Sequence, residues 1–485
     1  MTLTTINARY THTSFGLRYL WANLGALREQ AVVREFALNQ PAGEIAEALL
    51  ADDPKIIGLG VYIWNVAPIT QVVQIIKAVR PETVVVIGGP EVSYEYEGTE
   101  LFAAADFLVR GEGDIAFAEL AVKLLNGRRP AERVVSEPHP DLCRVALPYD
   151  AYTDKDLSQR ITYVEASRGC PFSCEFCLSS LEDRVREFPL DAFLAAMQRL
   201  MDRGARNFTF VDRTFNLRAQ RVERILRFFL DRWREGMRLH FEIMPDRLAP
   251  SVLDLLAQFP PGGLHLEVGI QTFNVEAQTA ISRRQDMAKT EQNLKFLRTR
   301  TGATIHADLI VGLPGESMES FGEGFNRLIA LAPQEIQVGI LKRLKGTPIT
   351  RHTETHELAF SPQPPYEVLQ TDLIDYAQMQ RLKRFARYFD LYYNSGNFPK
   401  ALPLLWRSRP TAFRAILELS DYIWTATGRT HEFPLAQLAE YLYTFLIQAG
   451  SDAPDIIADT INADFHRLPG RKDRLRFLAQ RMRGS

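Results

Sequence analysis

The sequence predicts an α/β protein of two consecutive parallel-sheet domains followed by an all-α module. Three observations carry that fold class. Short β-rich runs alternate with helical patterns over roughly the first 128 residues; the alternation stops and resumes from Ile161; and from about residue 349 almost only helical periodicity remains. The expected boundaries are 1–128 for an N-terminal doubly wound (Rossmann-like) domain, 129–159 for a linker, 160–348 for a partial (β/α)6 barrel and 349–485 for the helical module.

The first domain offers five strand candidates, Leu3–Asn7, Val32–Ala37, Ile56–Tyr62, Val84–Gly88 and Phe107–Arg110. Between and after them, Gly16–Arg28, Pro41–Ala51, Pro68–Arg80, Tyr96–Ala104 and Ile115–Leu125 repeat apolar residues at helical spacing. The polar, Pro-containing stretch from Asn126 to Gln159 breaks this pattern and reads as the linker. In the second domain the strands are expected at Ile161–Ala166, Asn207–Val211, Leu239–Ile243, His265–Ile270, Thr304–Leu309 and Glu335–Gly339. Six repeats are too few for a closed eight-stranded barrel and suit an open one, with functional groups at the strand C-termini. Beyond the Pro-rich turn at Ser361–Pro365, helices are expected over Tyr366–Tyr393, Thr411–Thr425 and Leu435–Gln448. Their aromatic residues, among them Tyr388, Phe389, Tyr392, Tyr393, Trp406 and Trp424, are read as core, with a lid over the substrate as the alternative.

The bulk numbers mainly exclude. A net charge of -2 with 24% charged residues names neither a nucleic acid nor any other partner by electrostatics. The basic run at Arg471–Arg476 reads as the solvated face of a last helix. No stretch has the apolar length of a membrane span and no secretory leader is evident, so a cytoplasmic protein without a membrane is expected. Four cysteines in 485 residues do not make a disulfide framework, and three of them fall within eight residues. Cys143, outside that group, reads as an ordinary thiol.

Those three lie in Arg168-Gly169-Cys170-Pro171-Phe172-Ser173-Cys174-Glu175-Phe176-Cys177, directly after the first barrel strand. Three thiolates on a short loop can ligate three irons of a cubane, leaving the fourth iron open to a small chelating molecule. A structural zinc would want a fourth protein ligand, and none lies close in sequence. The CxxxCxxC spacing, with the aromatic Phe176 before its last cysteine, resembles the signature of the radical S-adenosylmethionine (SAM) superfamily over about Ile161 to Pro348. The resemblance implies a [4Fe–4S] cluster on Cys170, Cys174 and Cys177, bound SAM, a 5′-deoxyadenosyl radical, and an external one-electron reductant such as flavodoxin or ferredoxin.

Polar residues stand where such a cofactor is expected. Glu242 lies in His240-Phe241-Glu242-Ile243-Met244-Pro245, Gln271 closes Glu267-Val268-Gly269-Ile270-Gln271, and Asp308 precedes the turn Gly312-Leu313-Pro314-Gly315-Glu316, which is read as shaping the adenine pocket. These strands resemble those of oxygen-independent coproporphyrinogen oxidases and their relatives, and that likeness implies SAM contacts from Glu242, Gln271, Arg283 and Asp308. The second strand departs from the glycine-rich run of many members: it reads Phe210-Val211-Asp212-Arg213-Thr214, so its backbone, with Asp212 or Thr214, is expected to serve instead.

In the N-terminal domain the glycines fall at strand C-termini, where a ligand approaches the backbone closely. Gly60 precedes Tyr62, Trp64 and Asn65 at the third strand, Gly88-Gly89-Pro90-Glu91 ends the fourth, and Gly111-Glu112-Gly113 ends the fifth. Together with the cysteine motif this resembles the cobalamin-binding domain of B12-dependent radical SAM enzymes, which implies a cobalamin site at Gly60, Tyr62, Gly88, Gly89, Glu91, Gly111, Glu112 and Gly113. The lower-ligand motif DxHxxG is absent, since His12 lacks both the leading aspartate and the spacing to Gly16. The C-terminal segment resembles the helical extension of some such proteins. The resemblance as a whole implies methyl transfer to a small-molecule or natural-product substrate. Two alternatives stand beside it: a radical rearrangement or cyclisation, and a non-catalytic cobalamin or redox sensor.

Overall fold

The structure, a computed structural model, describes residues 1–182, 184–468, 470–471 and 475–478. Part of the basic run at 471–476 therefore lies outside the described residues.

The N-terminal sheet has six strands, all parallel, in the order second, first, third, fourth, fifth, sixth. The central strand Val84–Gly88 reads Val-Val-Val-Ile-Gly because both of its faces are covered. Helices Ala42–Leu50 and Val66–Val79 pack on one face through Ile45, Leu49, Ile69, Val73 and Ile76. Leu17, Phe117 and Leu120 pack on the other. The first and third strands are neighbours while the chain departs from them to opposite sides, which opens a crevice at their carboxyl ends.

Two expectations are corrected here. The sixth strand, Val134–Ser136, comes from the stretch read as linker and pairs with Leu108–Arg110, and the same stretch ends in helix Asp154–Gln159. Helix Phe15–Ala22 stops short of the expected Arg28 because Gly25 takes φ +56°, after which the chain winds as a 3₁₀ turn to Gln30.

The second sheet is an open half-barrel of six parallel strands in reverse sequential order from Glu335–Ile340 to Thr162–Val164. Strand Leu264–Gln271 shows how it is built: Leu264, Leu266, Val268 and Ile270 are buried beneath the helices, and His265, Glu267, Gly269 and Gln271 face the hollow. The same alternation holds over Thr304–Val311. The barrel core continues without a break into the C-terminal module, where Phe325 meets Phe385, Phe389 and Phe413. Among the described residues, the regular structure of that module is helical apart from a small hairpin, Ala359–Phe360 with Val368–Gln370. Its first helix begins at Tyr376 rather than Tyr366, because Asp375 and Gln378 form a capping box there. Tyr388, Phe389 and Tyr392 are fully buried, as core residues are.

Candidate functional site

The cysteine loop leaves the first barrel strand at its carboxyl end, and its stem is pinched by Ser167–Arg168 pairing antiparallel with Arg186–Glu187. Gly169 makes the turn possible: its φ is +85°, and a Cβ there would lie 2.1 Å from the Arg184 carbonyl oxygen. Cys170 and Cys174 are buried, Cys177 is half-buried, and all three thiols are free. They line one wall of a cavity of about 260 Å³ with Phe172, Phe176 and Thr214. Two groups of donor atoms among the described residues converge within 4.8 Å as around a single ion, and neither includes a cysteine.

The opposite wall carries Glu242, Glu267, Gln271, Arg283 and Asp308. Arg283 is buried and joins the two walls, donating to Cys174 Sγ at 3.4 Å and to the Gly269 carbonyl. Burial pushes the Cys174 thiol up, and the Arg283 guanidinium pulls it back. Burial, helped by Glu267 and Glu242, drives the Asp308 carboxyl well above its ordinary range against the pull of Arg283, and Asp308 Oδ1 has no hydrogen-bond partner. Burial raises Glu242 too, opposed by Arg213 at 3.8 Å. Gln271 sits at φ +72° where the register slips against the next strand, a bulge that re-aims its side chain.

Thr214 reaches to 3.6 Å from Cys170 Sγ. Asp212 does not join it. Its carboxylate accepts hydrogen bonds from Ala166 N at 2.9 Å and Ser167 Oγ at 2.5 Å, bracing the stem of the cysteine loop from outside the cavity. Burial lifts it to about 6.

A second cavity, of about 270 Å³, opens at the carboxyl ends of the N-terminal strands. Gly60, Gly88, Gly89, Gly111 and Gly113 floor it with backbone, Tyr62 and Phe117 wall it, and Glu112 stands at its rim. Gly89 has φ +111°, and a Cβ there would meet the Val61 carbonyl oxygen at 2.5 Å. The fourth strand's turn therefore presses directly on the third.

Between the two lies a third cavity of about 490 Å³. It shares Tyr62, Glu112, Glu165 and Arg168 with the glycine-floored cleft, and Ser179 and Arg213 with the cysteine cavity. Tyr62 and Trp64 stack at 4.6 Å and 5° along its N-terminal side.

Two residues expected at cobalamin are also fasteners between domains. Glu91 is buried, accepts from Tyr366 Oη at 2.7 Å and pairs with Lys345 at 3.1 Å; it lines the middle cavity and not the cleft. Glu112 pairs with Arg168 at 3.0 Å and with Arg186. Burial alone would raise the Glu112 carboxyl, and the two arginines hold it below its ordinary range. His12 lines a neighbouring pocket with its Nδ1 2.6 Å from Tyr163 Oη.

Sequence reasoning passed over Arg168, Glu165 and Lys345. The signal for Arg168 was present, since it immediately precedes Gly169-Cys170 at a strand end.

Family profiles divide the chain as its architecture does. Residues 1–121 match the B12 binding domain, 164–328 the radical SAM superfamily, and 354–484 a family described as protein of unknown function (DUF4080). The chain thus carries a radical SAM domain and a B12 binding domain. The chain is 26% identical over 339 residues to an uncharacterized methyltransferase of Pyrococcus horikoshii, an alignment covering 64% of the chain and 71% of the relative. It is 25% identical over 342 residues to the cobalamin-dependent radical SAM methyltransferase TokK of Streptomyces tokunonensis, covering 63% of the chain but only 49% of that longer relative. In fold it is similar to the cobalamin-dependent SAM radical enzyme OxsB, with TM-score 0.67 and 13% identity over 100% of this chain and 84% of that one. Its cofactors are a [4Fe–4S] cluster, SAM and cobalamin. The residues present fit them: three free thiols face a polar cavity with an unpartnered carboxylate oxygen, and a backbone-floored cleft lies across a shared chamber. No helix among the described residues is long and apolar enough to cross a membrane.

Proposed function

We propose that this protein is a cobalamin-dependent radical SAM methyltransferase acting on a small molecule, with Cys170, Cys174 and Cys177 as cluster ligands. The cofactors would supply a methyl group and, by one-electron cleavage of SAM, a 5′-deoxyadenosyl radical. The observation that supports the reading is that the middle cavity shares lining residues with the glycine-floored cleft on one side and with the cysteine cavity on the other.

The chain's residues have distinct tasks in this reading. Glu242, Gln271 and Asp308 offer acceptors for ribose hydroxyls and an ammonium group, and Thr214 borders the cysteines. Arg283 is spent on Gly269 and Cys174, so its task is to hold the cluster loop against the fourth barrel strand as well as to face an anionic ligand. Gly60, Gly88, Gly111 and Gly113 let a large flat ligand lie against backbone, with Tyr62 at its edge. Asp212 and Glu91 serve at one remove, bracing the loop stem and the domain contact. Arg213, half exposed where the middle cavity meets the cysteine cavity, offers a cation to a substrate held there. The electron comes from a flavodoxin- or ferredoxin-like donor, which suits a cytoplasmic protein, and a nucleic acid substrate is not part of this reading.

The test is anaerobic reconstitution with iron, sulfide and cobalamin, followed by reduction in the presence of SAM. Formation of both S-adenosylhomocysteine and 5′-deoxyadenosine is expected. 5′-Deoxyadenosine alone, with corrin bound, would move the assignment to a radical rearrangement or cyclisation. Neither product from protein that holds both cofactors would leave a binding or sensing role. Replacing any one of Cys170, Cys174 or Cys177 by Ser should abolish the cluster's visible absorption and the 5′-deoxyadenosine together.

A further inference from the structure

Across the hollow face of the half-barrel, below the residues assigned to SAM, runs a layer of histidines and carboxylates that the proposed chemistry does not use. His265, His306 and Glu335 stand on three successive strands, and their donor atoms all lie within 4.8 Å of one another. His306 Nδ1 is the common point, 3.4 Å from His265 Nε2 and 3.7 Å from Glu335 Oε2. Bonds of about 2.0–2.1 Å at tetrahedral angles put neighbouring donors on a zinc ion roughly 3.3 Å apart, so these separations need little closing.

An outer partner for His306 stands close by. His306 Nε2 lies 3.5 Å from Asp308 Oδ1, the carboxylate oxygen that has no hydrogen-bond partner. Were that gap to close to a hydrogen bond when an ion binds, Nε2 would carry the ring proton and the Nδ1 lone pair would face His265 and Glu335. Metal-bound histidines characteristically hand their other ring N–H to a carboxylate in this way. His240 is kept out of the set, since its Nε2 is 3.0 Å from Glu267 Oε2.

We propose that His265, His306 and Glu335 form a second metal site, separate from the cluster, for a divalent transition ion of the zinc class with one coordination position open. Two imidazoles and one carboxylate favour such an ion over magnesium or calcium. The ion would tie the last three barrel strands together on their hollow face, and it would direct the His306 Nε2 proton at Asp308. The inference does not depend on whether the enzyme transfers methyl groups.

The test uses the holoprotein, reconstituted with cluster and cobalamin, incubated with zinc chloride and freed of excess by gel filtration, with zinc, iron and cobalt measured together. About one zinc per chain is expected in the wild type. His265→Ala and His306→Ala should each lower the zinc affinity by at least about tenfold, and Asp308→Asn by roughly 10-fold through the lost outer partner, with iron content unchanged. Wild-type protein without zinc, or a His265→Ala/His306→Ala variant that retains it in full, would overturn the proposal. Should the variants fold poorly, the zinc X-ray absorption spectrum of the wild type decides. A nitrogen and oxygen shell near ~2.0–2.1 Å supports the site, and a sulfur shell near ~2.3 Å assigns the zinc to the cysteines and overturns it.

Discussion

Burial pushes the Glu316 carboxyl up to about 7, relieved only by the hydrogen bond that Thr272 donates to Oε1, and its other oxygen has no partner. The shift is upward, so the fold favours the protonated acid. That contribution is complete below the ordinary carboxyl value near 4.5 and is lost as the pH rises through about 7. Glutamine imitates the protonated acid. Glu316→Gln should therefore lose less thermal stability than wild type between about pH 5 and about pH 8, by up to ~3 kcal/mol at the alkaline end. Melting curves with parallel pH dependence would refute this. Glu316 was visible in the sequence as the end of a glycine-rich turn, but its tie to Thr272 joins residues 44 apart and no local spacing reports it. Asp212 fails for a related reason. The first barrel strand ends at Val164, which leaves the backbone of Ala166 seeking an acceptor, and Asp212 supplies it instead of facing the cavity.

At the scale of elements, the cysteine loop is closed by the contact of Gly169 with the Arg184 carbonyl, and it offers a sharp prediction. Gly169→Ala combines a disfavoured positive φ with a Cβ 2.1 Å from that oxygen, so the stem strands must part. Cluster content, measured as iron per chain after reconstitution, should fall well below wild type while the melting transition shifts only modestly. An unchanged iron content would show that the stem is not needed to set the thiols. The barrel strands were legible to within a few residues because their period-two burial is written directly in apolar and polar alternation, as in Leu264–Gln271. Less legible were elements decided by a single backbone choice or by a distant neighbour. Helix Glu100–Ala104 starts four residues later than its apolar periodicity suggests, because Gly98 turns at φ +77° and the Thr99 side chain caps the helix. Val134–Ser136 becomes a strand only because Leu108–Arg110 offers it an open edge.

For the whole molecule, the decisive question is what keeps the N-terminal domain facing the barrel, and beside the Glu91 fastener two charge contacts of opposite character bear on it. On the side of the C-terminal module, Arg343 pairs with Glu95 at the surface, an arrangement worth less than about 1 kcal/mol. At the chamber, Arg168 is nearly enclosed and meets Glu112 at 3.0 Å, Asp114 at 2.7 Å and Glu165 at 3.0 Å, with its guanidinium over the Tyr19 ring. One guanidinium cannot balance three carboxylates. Burial accordingly raises Glu165 to about 7 even beside Arg168, while Glu112 leans on Arg186 as well. Removing the arginine leaves Glu112 with Arg186 but takes the guanidinium away from Asp114 and Glu165, which costs about 3–5 kcal/mol, and lysine restores the charge but not the fork. Arg168→Ala should thus lower the melting temperature sharply, Arg168→Lys less so, and Arg343→Ala hardly at all. Because Arg168 lines both the glycine-floored cleft and the middle cavity, the same ranking should appear in the fraction of corrin that stays with the protein through gel filtration. Equal retention by Arg168→Ala and Arg343→Ala would mean that the two domains are held by their apolar contacts, and that the charge cluster at the chamber mouth does not set the distance between cleft and cysteine loop.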